Sequence, residues 1–272
     1  MKEVGKMILA ADVGNTSISL GIFENGRIIS RAKLASDRSK TADEYAVLLA
    51  GIIGMKKLNF ASLSGAMLLS VVPQLTHTIS EALREFGIDP LIVGAGIKTG
   101  LNIRVENPSH LGSDIVADTV GAMLLAKPPL VVIDLGTATT LTAINPRGEL
   151  CGCIIAPGVK LSLDALSKSC AMLPDVPIAK PSKLLGTNTA ESMNSGSVLG
   201  SALMLDGFID SIKAEFPGSE LSVIATGGLS ELIVPLCKSN IRREPDLTLK
   251  GLCRLWEINQ KQKKPREDSN AI

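Results

Sequence analysis

One turn occurs twice in this chain, and it limits the fold more than any other feature. Asp12-Val-Gly-Asn-Thr16 and Asp134-Leu-Gly-Thr137 each follow an aliphatic run and precede a second strand-like run. Glycine lets the backbone turn sharply and brings N–H donors close to an anion. Threonine and asparagine side chains add donors, and an aspartate at the strand end can hold a metal ion directly or through water. A single copy is more simply an ordinary hairpin. Two copies, each opening a three-stranded unit, point to nucleotide binding.

The patterning around each copy supports a duplication. Met7 to Val13 has the composition of a buried strand. Ile18, Leu20 and Ile22 alternate with Ser17, Ser19 and Gly21, which is strand period. Asn25-Gly26 is a strong hairpin signal, and Arg27 to Leu34 reads as a third strand. Thr41 and Glu44 form a capping box for a helix whose Tyr45, Leu48, Leu49, Ile52 and Ile53 share one face. A strand over Gly65 to Val72, a helix over Gln74 to Phe86 and a strand over Pro90 to Val93 follow. The pattern restarts with strands at Leu130 to Leu135, Thr139 to Ile144 and Leu150 to Ile155. Helical periodicity returns at Lys160 to Met172 and Ser195 to Glu215, and a strand at Ser222 to Ala225 runs into Thr226-Gly-Gly228. The boundary between copies is expected near Lys127-Pro128-Pro129, giving domains over 1–126 and 127–258. Residues 259–272 are polar and aperiodic and are expected to be a disordered tail.

Composition narrows the classes. Hydrophobic residues make up 45% of the 272 and aromatics only 3%, so the core must be aliphatic. A formal net charge of +1 gives no electrostatic footprint for nucleic acid. No run approaches the roughly 18 apolar residues of a membrane span. The five cysteines contain no Cys-x-x-Cys pair, and neither histidine lies near a cysteine pair, so zinc is not expected. A soluble, cytoplasmic protein is the reading. Cys151 and Cys153 read as buried small apolar residues, and His77 and His110 as surface or core-edge histidines.

No Walker loop occurs. Gly112-Ser-Asp114 offers the best catalytic carboxylate, at the start of a helix with Ala117, Val120 and Gly121-Ala122 on its small-residue face. In phosphoryl transfer one carboxylate orients the acceptor hydroxyl and takes its proton. The same aspartate could instead be an N-cap. Thr226-Gly-Gly228 could let backbone approach a flat ligand such as adenosine, or be a plain strand-to-helix turn.

The ordered set of segments resembles the type III pantothenate kinases of bacteria. Carrying the resemblance are Asp12–Thr16, Thr41-Ala-Asp-Glu-Tyr45, Leu69-Ser-Val-Val-Pro73, Asn107-Pro108 before Gly112-Ser-Asp114, and Asp134–Thr140. Gly152–Gly158, Leu173-Pro174, Gly186–Thr189, Thr226–Gly228 and Leu247-Thr-Leu-Lys-Gly-Leu252 follow in order. The resemblance implies an α/β, actin-like (ribonuclease H-like) ATPase fold of duplicated βββαβαβα domains with a cleft between them. It implies transfer from ATP to pantothenate, giving 4′-phosphopantothenate at the first step of coenzyme A synthesis. It also implies a homodimer, a monovalent cation (potassium or ammonium), and magnesium with ATP. By position, Asp12, Val13, Gly14, Asn15, Thr16, Ser17, Ile18 and Ser19 face the ATP phosphates, and Thr137 contacts ATP. Asp114 is the proton acceptor and Asp134 the cation ligand. Gly112, Ser113, Asp114, Ile115, Val105 and Thr189 line the pantothenate side.

Two positions depart from the family pattern. Ile115 stands where an arginine commonly follows the aspartate, and Val105 where a tyrosine often precedes Asn-Pro. Isoleucine cannot make a bidentate charged contact with a carboxylate. Three alternatives follow. Arg104, His110 or Lys160 holds the acceptor carboxylate, or the acceptor differs, or the protein is a non-catalytic nucleotide-binding or regulatory paralogue.

Overall fold

A computed structural model of the protein describes residues 7–260. Chain contacts gather these residues into two compact units. The first takes in the chain through Gly100, then Ser109–Gly121 and the segment from Leu247 onward. The second holds Leu101–Pro108 and Ala122–Asp246.

The first unit opens with three strands, β1 (Met7–Val13), β2 (Ser17–Glu24) and β3 (Arg27–Ala35). The β2–β3 reversal is the expected hairpin: Asn25 and Gly26 both take positive φ, 50° and 76°. Helix α1 (Ala42–Met55) follows, with the full capping box between Thr41 and Glu44. Strand β4 (Leu63–Ser70), helix α2 (Pro73–Arg84) and short strand β5 (Leu91–Ile92) complete the run. The sheet order is β3-β2-β1-β4-β5, antiparallel across the first three strands and parallel thereafter. Its core is aliphatic, as composition required, with Tyr45 the one large aromatic at 0% exposure among Leu9, Ile18, Leu49, Leu68 and Leu75.

Strand β6 (Asn102–Ile103) precedes helix α3 (Ser113–Ala122). The second sheet then repeats the first, with β7 (Leu130–Leu135), β8 (Ala138–Ile144) and β9 (Glu149–Pro157). Helix α4 (Val159–Ser169) ends three residues before the expected Met172, where Leu173 N turns back to Cys170 O. Helix α5 (Thr189–Asn194) runs through a π turn at Ser195–Leu199 into α6 (Gly200–Glu215). Strand β10 (Ser222–Thr226), helix α7 (Ser230–Ile233), strand β11 (Arg242–Arg243) and helix α8 (Leu247–Gln260) end the described chain. The order β11-β10-β7-β8-β9-β6 reproduces the first sheet's, with β6 added on β9.

Helix α8 returns to the first unit. Leu249 lies against Gly21 of β2 and the Trp256 indole against Gly65 of β4. It also crosses α3 closely, since a Cβ on Gly251 would stand 1.9 Å from Ala117 O and one on Gly121 2.4 Å from Leu247 O. Thr248 Oγ1 donates to the buried Asp118 carboxylate at 2.6 Å in the same crossing. Asn259 and Gln260, read from sequence as the start of a tail, are the last residues of α8, where Asn259 exchanges two hydrogen bonds with the Lys98 backbone. The rest of the expected tail, 261–272, lies outside the described residues.

Cys151 and Cys153 correct the sequence reading: both are exposed, on the outward side of β9. Alternation along a strand assigns residues to faces, but it does not say whether a face is covered. His77 and His110 are exposed, as expected.

Candidate active site

In the first unit the turn between β1 and β2 is Gly14-Asn15-Thr16, and it closes through a 3.0 Å bond from Gly14 N to Ser17 O. Val13 and Ile18 are buried and paired across the strands, whereas Asn15 and Thr16 are exposed. The hydrophobic period therefore anchors the turn from below and leaves its donors in solvent. A loop just past β3 braces it. Ser36 N donates to Thr16 O at 3.0 Å and Ser36 Oγ to Gly14 O at 2.6 Å. Arg38 Nη2 reaches Asn15 Oδ1 at 3.2 Å. The loop is itself held by Tyr45, whose hydroxyl accepts from Asp37 N and donates to Asp37 O, both at 2.9 Å. The Lys40 ammonium, with help from Ser39, holds the Asp37 carboxyl well below the usual carboxylate range.

Also in the first unit, Asp114 sits in the first turn of α3 and accepts from Ile115 N at 2.9 Å. A Cβ on Gly112 would stand 2.3 Å from Asp114 Oδ1, so the glycine leaves room for this carboxylate. Ser113 is half-buried beside it. Ile115 is only 7% exposed, and its helix neighbours Val116, Ala117 and Val120 are buried as well.

In the second unit the turn between β7 and β8 is one residue shorter. Gly136 N bonds Ala138 O at 3.1 Å. Two further glycines press on it. A Cβ on Gly158 would lie 2.4 Å from Thr137 O, and one on Gly227 (φ +90°) 2.4 Å from Asp134 Oδ1. Thr226-Gly-Gly228 is thus packed against the second turn, and Ser230 Oγ closes it onto Gly227 O at 2.7 Å. Thr137 is exposed and Asp134 half-buried.

Thr189 opens α5, next to Asn188, whose side chain caps the helix by accepting from Glu191 N at 2.9 Å. Val105 follows β6 and is half-buried. Two of the cations considered for the acceptor have carboxylate partners. Arg104 pairs with Glu149 at 3.3 Å, and Lys160 with Asp164 one turn along α4. Asn145, with Arg147 and Arg104, holds the Glu149 carboxyl below its usual range. Sequence reasoning missed Arg38, Ser36 and Thr248. The signal for Arg38 was a basic residue between a predicted strand and the capping box, which alone says little. Among the described residues no cluster of three metal-ligating side chains occurs, and no helix is long and apolar enough to cross a membrane.

The duplicated sheets, each opened by a strand–turn–strand unit, define an actin-like ATPase fold. Solved structures agree on that fold. One is the (R)-2-hydroxyglutaryl-CoA dehydratase component A of Acidaminococcus fermentans, with TM-score 0.54 and 13% identity, covering 95% of this chain and 100% of that one. Another is a ROK hexokinase of Thermus thermophilus, with TM-score 0.50 and 14% identity, covering 94% and 99%. Sequence comparison is more specific. The family model for type III pantothenate kinase matches residues 8–211. A type III pantothenate kinase of Moorella thermoacetica is 42% identical over 93% of this chain and 100% of its own length. One of Bacillus cytotoxicus is 40% identical over 93% and 97%. The chain belongs to the type III pantothenate kinase family, and it is a kinase.

Proposed function

We propose that the protein transfers the γ-phosphoryl group of ATP to the primary hydroxyl of pantothenate, giving 4′-phosphopantothenate for coenzyme A synthesis. Membership of the family supports the substrates. The observation that carries the mechanism is Asp114, a carboxylate at the start of α3 that Gly112 leaves uncrowded. Asp114 takes the hydroxyl proton as the new P–O bond forms, and the bond from the γ-phosphorus to the ADP oxygen breaks. Asp12 through Ser19 form the phosphate cradle, where Asn15 and Thr16 offer exposed side-chain donors. Thr137, in the second unit, is assigned to ATP by the family resemblance. Gly112, Ser113, Ile115, Val105 and Thr189 are assigned to the acceptor side.

Magnesium accompanies the nucleotide and neutralises phosphate charge when bound. Asp134 fits a monovalent cation, potassium or ammonium, because the positions of Gly227 and Gly136 leave open a cradle that a Cβ would fill. A cytoplasmic homodimer is the assembly we favour. Met172, Leu184 and Leu185 of the second unit are 91%, 62% and 80% exposed, large apolar side chains that a second copy could cover.

A coupled assay with ATP, magnesium, potassium and pantothenate tests the mechanism. Asp114→Asn should lower kcat by at least about a hundredfold, and undiminished turnover would remove Asp114 from the role of base. The burial of Ile115 favours one second reading, an actin-like kinase for another small hydroxyl compound. The same assay with a panel of acceptors selects it if pantothenate stays inert and another acceptor turns over.

A further inference from the structure

The loop that braces the first turn carries two cations, and their surroundings differ. Lys40 Nζ is neutralised by Asp37 at 2.8 Å. Arg38 has no ion pair among the described residues. Its guanidinium is bonded to the neutral side-chain oxygen of Asn15 at 3.2 Å. Asn15 belongs to the turn read as the phosphate cradle.

The backbone under Arg38 is fixed from several directions. Ser36 ties it to Gly14 O and Thr16 O. The Tyr45 hydroxyl, at the start of α1, clasps both backbone groups of Asp37. Gln74, from the first turn of α2, donates to Arg38 O at 3.3 Å. The Asp37 carboxylate accepts from Ser39 N at 3.0 Å and Ser39 Oγ at 2.6 Å. Tyr45, from a segment that carried the family resemblance, and Gln74, in the first turn of α2, therefore converge on the placement of one guanidinium.

A guanidinium stays charged at any working pH and presents five donors in a fixed fork that suits phosphate oxygens. The Asn15 bond engages one donor nitrogen, which leaves most of the fork available to a ligand. Phosphoryl transfer depends mainly on positioning and on neutralising charge at the transferring group. Without Arg38, the first turn has only neutral side-chain donors, from Asn15, Thr16 and Ser17.

We propose that Arg38 is a further nucleotide-binding residue, which takes the terminal phosphate oxygens of ATP at the Asp12–Thr16 turn. The proposal rests on the reading of that turn as the phosphate cradle. It adds a charged contact, and it gives the Tyr45 and Gln74 bonds a role in holding that contact in place.

Calorimetry with ATP and with adenosine, beside steady-state kinetics, tests it. Arg38→Ala should weaken ATP binding about ten- to a hundredfold, the range expected for a lost charged hydrogen bond. Adenosine affinity and the acceptor KM should stay within about twofold of wild type. Arg38→Lys should fall between, because a point charge lacks the fork. Unchanged ATP affinity in Arg38→Ala overturns the proposal, and so does an equal loss for ATP and adenosine. Thr16→Val tests the underlying reading separately. If it weakens ATP binding while Arg38→Ala does not, only the proposal falls. If neither variant affects ATP binding, the cradle assignment falls with it.

Discussion

The two glycine turns begin from nearly the same sequence and end in different environments. The first spans three residues, leaves Asn15 and Thr16 in solvent, and is braced by side chains of the Ser36–Lys40 loop. The second spans two residues, leaves Thr137 exposed, and is pressed by backbone, with Gly158 against Thr137 and Gly227 against Asp134. Side-chain braces can rearrange around an incoming ligand. Backbone walls cannot do so without moving strands and helices. The proposed roles, a large charged ligand at the first turn and a small ion at the second, follow this difference.

The contrast predicts that a methyl group is tolerated in the first turn and not in the backbone that presses on the second. Gly227→Ala adds a Cβ at 2.4 Å from Asp134 Oδ1 on a backbone of φ +90°, and should cost about 2–4 kcal/mol, read as a fall in calorimetric Tm. Gly14→Ala meets only Ser17 O at 3.2 Å and should cost under about 1 kcal/mol in the same experiment. Equal losses would erase the distinction between side-chain brace and backbone wall.

Tyr45→Phe probes the brace from a distance. Losing the hydroxyl leaves the Asp37 amide without its partner and should cost about 1–2 kcal/mol in denaturant titrations. It should also raise the ATP KM several-fold while leaving the acceptor KM alone. A stability loss with no change in ATP KM would separate the loop from the turn.

The smallest effect concerns pH. Lys40 and Ser39 depress the Asp37 carboxyl in the folded state, so its contribution is complete above the unfolded value of about 4. It is lost only as pH falls through the lower folded value. The ATP KM should therefore show no titration from Asp37 between about pH 5 and 8. An ionisation in that window that Asp37→Asn abolishes would contradict the brace as described.

Much of this architecture could be read from local pattern. The Asn25-Gly26 hairpin and the Thr41–Glu44 capping box are set within a few residues, and both formed as expected. Both three-stranded units followed from period-two alternation and the paired turns. Strands β6 and β11 did not show, because Asn102-Ile103 and Arg242-Arg243 lie in no apolar run, unlike the equally short Leu91-Ile92 of β5. The walls at Gly158 and Gly227 were hidden for a different reason. Each approach joins segments distant in sequence, and a glycine in a turn looks the same whether or not another strand presses on it. Asp114 could be picked out as a carboxylate opening a helix, but the Thr248–Asp118 bond in the same helix crossing spans 130 residues.

Helix α8 also bears on the order in which the protein is made. Its residues belong to the first unit, whose opening strand begins at Met7, yet they are translated after the whole of the second unit. On the ribosome, Gly21 and Gly65 emerge early and wait for Leu249 and Trp256 to cover them. The half of the molecule that starts first is finished last. Non-local closure of this kind slows folding, and the early sheet must stay soluble with one of its coverings still unsynthesised.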